Sequence, residues 1–378
     1  MPALYIIIFI LSIGYLTYII VERIILTKLR SSFKYIIHVN GIRGKSTTTR
    51  LIDAGMRECG FKVFSKTTGT VPTYINTKNE DVVIKRLGSA NIKEQIKMLL
   101  KAKKEGAEVV VLECMAVNPE LQRICEEKIL KADVCVITNV RMDHIGEMGD
   151  NLDELALALS STIPTNGKLV INESNYVDFF KDKASKKGTE VIVAKPYVGD
   201  NLETFEENIA VSMAVCEALG LDSNTFFEGL KNYHHDIGAF KAYDYNGITF
   251  LNGFSINDPE SIKLVFDRIC ETYNKDEMVL LLNNRFDRPT RVNQHIELVS
   301  NIGLNKVYIM GSNKRYVMNK LLKNNPNLDV KMVNKIEDLN DEKIIFAIGN
   351  IGGGGLKILN YVQNNGGRWW TLDLVLLS

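Results

Sequence analysis

Residues 38–50 read H-V-N-G-I-R-G-K-S-T-T-T-R, and Gly41, Gly44, Lys45 and Ser46 among them have the types and spacing of a phosphate-binding turn. A strand that ends in glycine and opens a helix aims backbone N–H groups and the positive helix end at an anion. Lys45 can then reach the outer phosphates of a nucleotide, and Ser46 can offer its hydroxyl to Mg²⁺. The full pattern G-x-x-x-x-G-K-[S/T] is shortened, because Val39 stands where its first glycine belongs. The apolar run Tyr35-Ile36-Ile37 precedes the loop, and Leu51, Ile52, Gly55 and Met56 follow it at helical spacing. The loop is therefore expected between a strand and a helix, with an ordinary glycine-bearing turn as the bland alternative.

Two further strand ends carry chemistry. V-V-V-L-E-C ends in Glu113, and V-C-V-I-T-N-V-R-M-D-H ends in Asn139, Asp143 and His144. In a parallel sheet the C-terminal ends of the strands gather at one edge, where a phosphate loop also sits. A carboxylate at one strand end and a histidine past the next could hold Mg²⁺ beside the phosphates.

The elements that must position these groups follow from apolar patterning. K-Y-I-I-H-V, F-K-V-F-S, residues 107–112, residues 133–138, K-L-V-I-N and E-V-I-V-A read as strands with helical stretches between most of them. That alternation predicts a mainly parallel sheet with helices on both faces. The polar stretch Y-H-H-D-I-G-A-F-K-A breaks it, and a second series follows: I-T-F-L-N, M-V-L-L-L-N-N, K-V-Y-I-M-G, V-K-M-V-N and K-I-I-F-A-I-G-N. A chain of 378 residues is too long for one ordinary core, so two α/β domains are expected. The expected spans are an anchor over 1–27, a nucleotide-binding domain over 28–237, a smaller domain over 238–365 and a tail over 366–378 with no assigned role.

The anchor rests on residues 2–21, P-A-L-Y-I-I-I-F-I-L-S-I-G-Y-L-T-Y-I-I-V, which hold no charged side chain. Twenty helical residues span roughly 30 Å, the thickness of a bilayer's hydrocarbon core. The stretch is apolar all round, unlike a core helix, and no lysine or arginine precedes it, unlike a signal peptide. Arg23, Lys28, Arg30 and Lys34 follow it, so the remainder is expected on the cytoplasmic side of the cell membrane as a single-pass protein. Lysine and arginine total 46 against 45 acidic residues, a balance that gives no sign of an electrostatic grip on nucleic acid, and none is expected. The six cysteines show no C-x-x-C or metal spacing, which suits a reducing compartment.

With N-G-I-R-G-K-S-T-T and Glu113, the stretch N-V-R-M-D-H-I-G resembles the Mur ligase superfamily of ATP-dependent amide-bond ligases. Their loop is typically T-G-T-N-G-K-T-T, so Asn40 and Ile42-Arg43 are departures. The likeness narrows with S-K-T-T-G-T (65–70), R-L-G-S-A-N-I-K-E-Q (86–95), E-C-M-A-V-N-P-E-L-Q (113–122), N-G-F-S-I-N-D-P-E-S (252–261), N-N-R-F-D-R-P-T-R (283–291) and G-N-I-G-G-G-G (349–355). This set resembles the poly-γ-glutamate synthase family, membrane-anchored ligases of capsule-forming bacteria.

The resemblance implies roles by position. Gly41, Arg43, Gly44, Lys45, Ser46, Thr47 and Asn139 would cradle ATP, and Ser46, Glu113 and His144 would surround Mg²⁺. Asn257, beside an inserted Asp258, and Arg285, Asp287 and Arg288 would bring second-domain contacts to the nucleotide. Lys45, Glu113, His144 and Arg288 would serve the transfer step. Lys66, Thr68, Thr70, Arg86 and Asn91 lie in segments particular to the narrower family and are candidates for reading glutamate or the growing polyanionic chain; fold-stabilising roles are equally open for Arg86 and Asn91. The implied chemistry is phosphoryl activation of a carboxylate, then attack by an amine, with small membrane-protein partners. A folylpolyglutamate-synthetase-like ligase and a membrane-bound nucleotide switch are the competing readings. Only about 35 residues precede the loop, so the UDP-sugar domain of peptidoglycan-precursor ligases is not expected.

Overall fold

A computed structural model describes residues 2–69, 71–86, 88, 90–142, 146–172, 174–199, 206–235, 240–256, 259–284, 289–339, 341–365 and 368–370. The chain divides into two compact units, one built mainly from residues before 235 and the other from 235 onward.

The first unit begins with helix α1 (Pro2–Arg30) and carries strands β1 (Tyr35–Asn40), β2 (Val63–Thr67), β3 (Thr73–Ile75), β4 (Asp81–Val83), β5 (Val109–Glu113), β6 (Val134–Ile137), β7 (Lys168–Asn172) and β8 (Glu190–Ala194). Their order across the sheet is β4-β3-β2-β5-β1-β6-β7-β8. From β2 to β8 the pairing is parallel, with Val39 opposite Glu113 on one side and Val136 on the other. β3 and β4 extend the edge antiparallel, which apolar patterning alone had not marked.

Helix α2 (Lys45–Glu58) follows the loop directly, and its Leu51, Ile52 and Met56 pack against Ile37 and Val39. Gly55 is required there, since a Cβ would lie 2.6 Å from the Phe226 ring. Helix α3 (Glu94–Lys104) covers the opposite face, where Met98 and Leu99 meet Val110 and Leu112. Each such side chain taken wholly from water stabilises the fold by about 1.5–3 kcal/mol.

α1 is two structures in one helix. Its side chains at 4–20 are exposed and largely apolar, whereas Leu29 is buried with Phe33 in the cluster beneath α3. Arg30 pairs with Asp133, whose other oxygen accepts the Ile36 N–H at 2.7 Å. The helix thus runs unbroken from an apolar rod into the foot of the sheet. By length and composition Leu4–Arg30 is long and apolar enough to cross a membrane.

The second unit holds β9 (Lys241–Tyr245), β10 (Ile248–Asn252), β11 (Met278–Asn284), β12 (Lys306–Gly311), β13 (Asp329–Met332), β14 (Ile344–Gly349) and β15 (Arg368–Trp370), ordered β13-β12-β11-β14-β10-β9-β15. Five are parallel; β9 pairs antiparallel with both β10 and β15. The tail left without a role therefore contributes an edge strand at 368–370. Helices 259–272, 289–302 and 314–324 bury Ile262, Ile296 and Leu321 against one face of the sheet.

Candidate active site

The loop between β1 and α2 is held by its neighbours at both ends. Gly41 adopts φ 126° and Gly44 φ 78°, a region side chains rarely occupy. A Cβ on Gly41 would lie 2.1 Å from Thr138 Oγ1, and one on Gly44 would lie 2.2 Å from Asn208 Oδ1. Sterics and backbone conformation thus demand glycine at both positions. Thr138 Oγ1 donates to the Arg43 carbonyl at 2.5 Å. Asn139 closes the other side: its Oδ1 accepts the Arg43 N–H at 3.0 Å and its Nδ2 donates to the Arg43 carbonyl at 3.2 Å. Asn139 therefore shapes the loop that it was expected to serve.

Lys45 folds back, its ammonium donating to the Gly41 and Ile42 carbonyls at 2.7 and 3.1 Å. Ser46 donates its hydroxyl to Glu113 Oε2 at 2.8 Å, and the Thr68 N–H donates to the same oxygen at 2.6 Å. Among the described residues the other oxygen of Glu113 accepts no hydrogen bond. The first turn of α2, the residue after β2 and the end of β5 thus converge on one carboxylate beside the loop. Thr47 is half-buried in the first turn of α2.

This arrangement fits a divalent cation in part. A hydroxyl and a carboxylate in contact are hard oxygen donors of the kind Mg²⁺ takes together with phosphate oxygens. Among the described residues no three His, Cys, Asp or Glu side chains cluster as a metal site. Ser46 and Glu113 would therefore hold the ion with oxygens from elsewhere, as Mg²⁺ usually does with substrate phosphates. His144 and Asp143 lie outside the described residues, as do Thr70, Asn257, Asp258, Arg285, Asp287 and Arg288.

The other candidates are placed as follows. Lys66 is wholly buried, paired with Glu94 at 2.9 Å and donating to Gln95 Oε1 at 3.2 Å. Arg86 grips Glu94 in a two-pronged contact of 2.7 and 2.9 Å. Burial opposes the charge on Glu94, but the Arg86 hydrogen bonds and the Lys66 charge outweigh it and bring its carboxyl down to about 2. Burial pushes the Lys66 ammonium down against the pull of Glu94. Asn91 is exposed and shapes the turn into α3, its Oδ1 accepting the Lys93 N–H at 2.9 Å.

Three features escaped the sequence. Asn208, on the helix Glu206–Leu219, sits against Gly44 and accepts the Thr48 hydroxyl at 3.3 Å. Arg50 is wholly buried on α2 and reaches Thr73 and Asp81, tying the β3–β4 edge to the loop's helix at 3.1 and 2.7 Å. His38, central in β1, bonds Glu126 at 2.8 Å through Nδ1. Burial would lower its pKa, but bonding to Cys114 and Glu126 raises it to about 10. None carries a local signal, because each partner lies far along the chain. Beside the loop, a cleft of about 190 Å³ is lined by Asn139, Arg141, Asn172 and Glu207, with Arg141 bonded to both Glu207 oxygens.

The chain is 34% identical over 352 residues to PGA synthase CapB of Bacillus subtilis, covering 86% of this chain and 90% of that one. It belongs to the CapB family. A second CapB protein, capsule biosynthesis protein CapB of Bacillus anthracis, is 40% identical over 277 residues, 68% of this chain and 59% of that protein. Residues 237–365 match the poly-gamma-glutamate synthase CapB C-terminal domain and residues 39–214 the Mur ligase middle domain. Family membership makes the chain an ATP-dependent ligase of Mur ligase type in poly-γ-glutamate synthesis. Among solved structures the fold is similar to folylpolyglutamate synthase of Thermotoga maritima (TM-score 0.65, 16% identity, 93% of this chain and 94% of that one). It is also similar to MurF of Acinetobacter baumannii (TM-score 0.64, 12% identity, 90% and 77%). At such identities the likeness is one of fold, and the CapB relatives carry the functional assignment.

Proposed function

We propose that this chain activates a glutamate carboxylate with ATP and joins it to the amine of another glutamate, extending a chain through γ-linked amide bonds. The observation that carries this reading is the meeting of Ser46, Glu113 and the Thr68 N–H beside the Lys45 loop. In the first step an oxygen of the acceptor carboxylate attacks the γ-phosphorus of ATP, a P–O bond forms, and ADP leaves with the electrons of the broken one. In the second, the nitrogen of an incoming glutamate attacks the acyl carbon, phosphate departs, and the nitrogen gives up a proton.

Both steps move negative charge onto phosphoryl oxygens. The loop N–H groups between Gly41 and Ser46 and the start of α2 would bind those oxygens. Lys45 would exchange its bonds to the Gly41 and Ile42 carbonyls for a phosphate oxygen. Glu113 and Ser46 would hold Mg²⁺, which when bound neutralises phosphate charge and orients the γ-phosphoryl group. Gly41 and Gly44 keep side chains away from the backbone that meets the phosphates. Asn257, Arg285, Asp287 and Arg288 would add second-unit contacts, and His144 would complete the cation's surroundings. Thr68, Thr70, Arg86 and Asn91 are the remaining candidates for contacts with glutamate or polymer.

The exposed apolar stretch of α1 would hold the chain in the cell membrane as a single span, with both units in the cytoplasm beside ATP. Small membrane-protein partners would assemble with it there. Glutamate incorporation by membranes carrying the chain and these partners tests the whole reading. Polymer should form with stoichiometric ADP and phosphate, and Lys45→Ala and Glu113→Ala should abolish it. ATP binding without glutamate-dependent turnover would instead make the chain a nucleotide switch.

A further inference from the structure

Behind the Glu113 carboxylate lies a buried charged group that the ligase chemistry does not itself employ. Lys66, Glu94 and Arg86 form a line of alternating charge, with Lys66 wholly buried. Gln95, equally buried, joins this line to the strand end: its Nε2 donates to the Glu113 backbone carbonyl at 3.0 Å while its Oε1 accepts from Lys66 at 3.2 Å. Glu94 and Gln95 are consecutive in the first turn of α3. One helical turn therefore holds both the lysine and the last residue of β5.

The placement poses an electrostatic problem. A buried ammonium close to a carboxylate that must bind a cation would pair with that carboxylate itself, since interior charges attract strongly. Yet Glu113 takes its hydrogen bonds from Ser46 and Thr68, and Lys66 turns to Glu94. Glu94 also takes the Arg86 guanidinium. The buried ammonium of Lys66 is thus held on a different carboxylate, which Arg86 shares. We infer that Glu94 and Gln95 are positioning residues for the cation site: Glu94 keeps Lys66 off the Glu113 carboxylate, and Gln95 fixes the backbone that carries it. The inference rests on Ser46 and Glu113 being the cation site, and it makes Lys66 a part of that support instead of a reader of the polymer.

The test uses the full chain solubilised in detergent with a non-hydrolysable ATP analogue, and Mn²⁺ as the probe, its free signal followed by electron paramagnetic resonance. Circular dichroism reports folding. Glu94→Gln keeps the side chain's size but frees Lys66 to turn toward Glu113, so Mn²⁺ affinity should fall roughly 10- to 100-fold, the range for partners of metal ligands. Gln95→Met should weaken it in the same direction. Lys66→Met removes a cation and should bind Mn²⁺ at least as tightly as the unaltered chain. This opposition of sign separates the charge effect from simple disruption, which would weaken all three. The double variant Lys66→Met with Glu94→Gln should recover part of the loss. An unchanged Glu94→Gln affinity, or weakening by Lys66→Met equal to that of Glu94→Gln, overturns the inference. If Glu113→Ala binds Mn²⁺ as well as the unaltered chain, the cation-site reading itself fails, whatever Glu94 does.

Discussion

The two units each send a central parallel strand into a glycine-bearing loop that opens a helix, and the two loops carry different side chains. β1 leads through Asn40–Gly44 into α2; β14 leads through Gly349–Gly355 into the helix Leu356–Asn364. Each is pinned by an asparagine from a neighbouring segment. Asn139 holds Arg43 at both its N–H and its carbonyl, while Asn283 donates to the Asn350 and Gly352 carbonyls. The backbone solution is shared. The side chains are not: the first loop runs straight into Lys45 and Ser46 with Glu113 across from it, whereas I-G-G-G-G-L carries no charge. Sheet topology supplies a place where an anion can be met by N–H groups, and the flanking side chains decide whether a phosphate is worked on there.

That contrast can be broken most sharply at Lys45. Lys45→Ala should reduce glutamate incorporation by at least ~10²-fold, the scale of losing one charge-stabilising donor. Lys357→Ala, the first charged position after the second loop, is an exposed change and should alter stability by no more than about 0.5 kcal/mol. Equal losses at both positions would end the comparison.

Glycine gives the next test. Gly44→Ala forces a side chain into a left-handed backbone and against Asn208, and should cost about 1–3 kcal/mol in chemical denaturation along with ATP affinity. At Gly354 a new Cβ meets the tip of the Met310 side chain at 2.5 Å, a flexible end able to yield. Gly354→Ala should therefore cost less than Gly44→Ala.

A smaller effect is expected at the pinning asparagine. Asn139→Ala removes two hydrogen bonds from the Arg43 peptide and should weaken ATP-analogue binding by about tenfold, corresponding to one to two net hydrogen bonds. Calorimetric titration of the solubilised chain would measure it, and unchanged affinity would show that Thr138 suffices.

The central strands differ as well, and here the expected effect is a slope. β1 carries His38 against Glu126, while I-I-F-A-I-G of β14 has no titratable side chain. His38 is raised from 6.5 to about 10, so the folded chain binds its proton more tightly than the unfolded chain does. Its contribution is complete below about 6.5 and is lost as pH rises through about 10. Thermal unfolding should therefore show stability falling across that window, and His38→Gln should flatten the fall.

Much of this architecture was legible in the chain. The strands of both parallel sheets stood out because strands buried on both faces are continuous apolar runs. The loop and Glu113 were legible because strand-end position is a local property. The antiparallel edges β3, β4, β9 and β15 were not, since three to five half-polar residues give little periodicity. Arg50 and Asn208 were equally silent, because their partners lie 31 and 160 residues away.

Sequence by itself determined the apolar span, the two α/β series and the glycine-lysine turn between a strand and a helix, since apolar runs and glycine turns act within a few residues. Tertiary structure decided which of the charged residues meet. It set Ser46 and Thr68 on one oxygen of Glu113, turned Lys66 away toward Glu94, and made Asn139 a clasp on the loop. The physical reason is range: a hydrogen bond or ion pair forms only within a few ångströms, and folding alone brings Ser46, Thr68 and Glu113 to that distance.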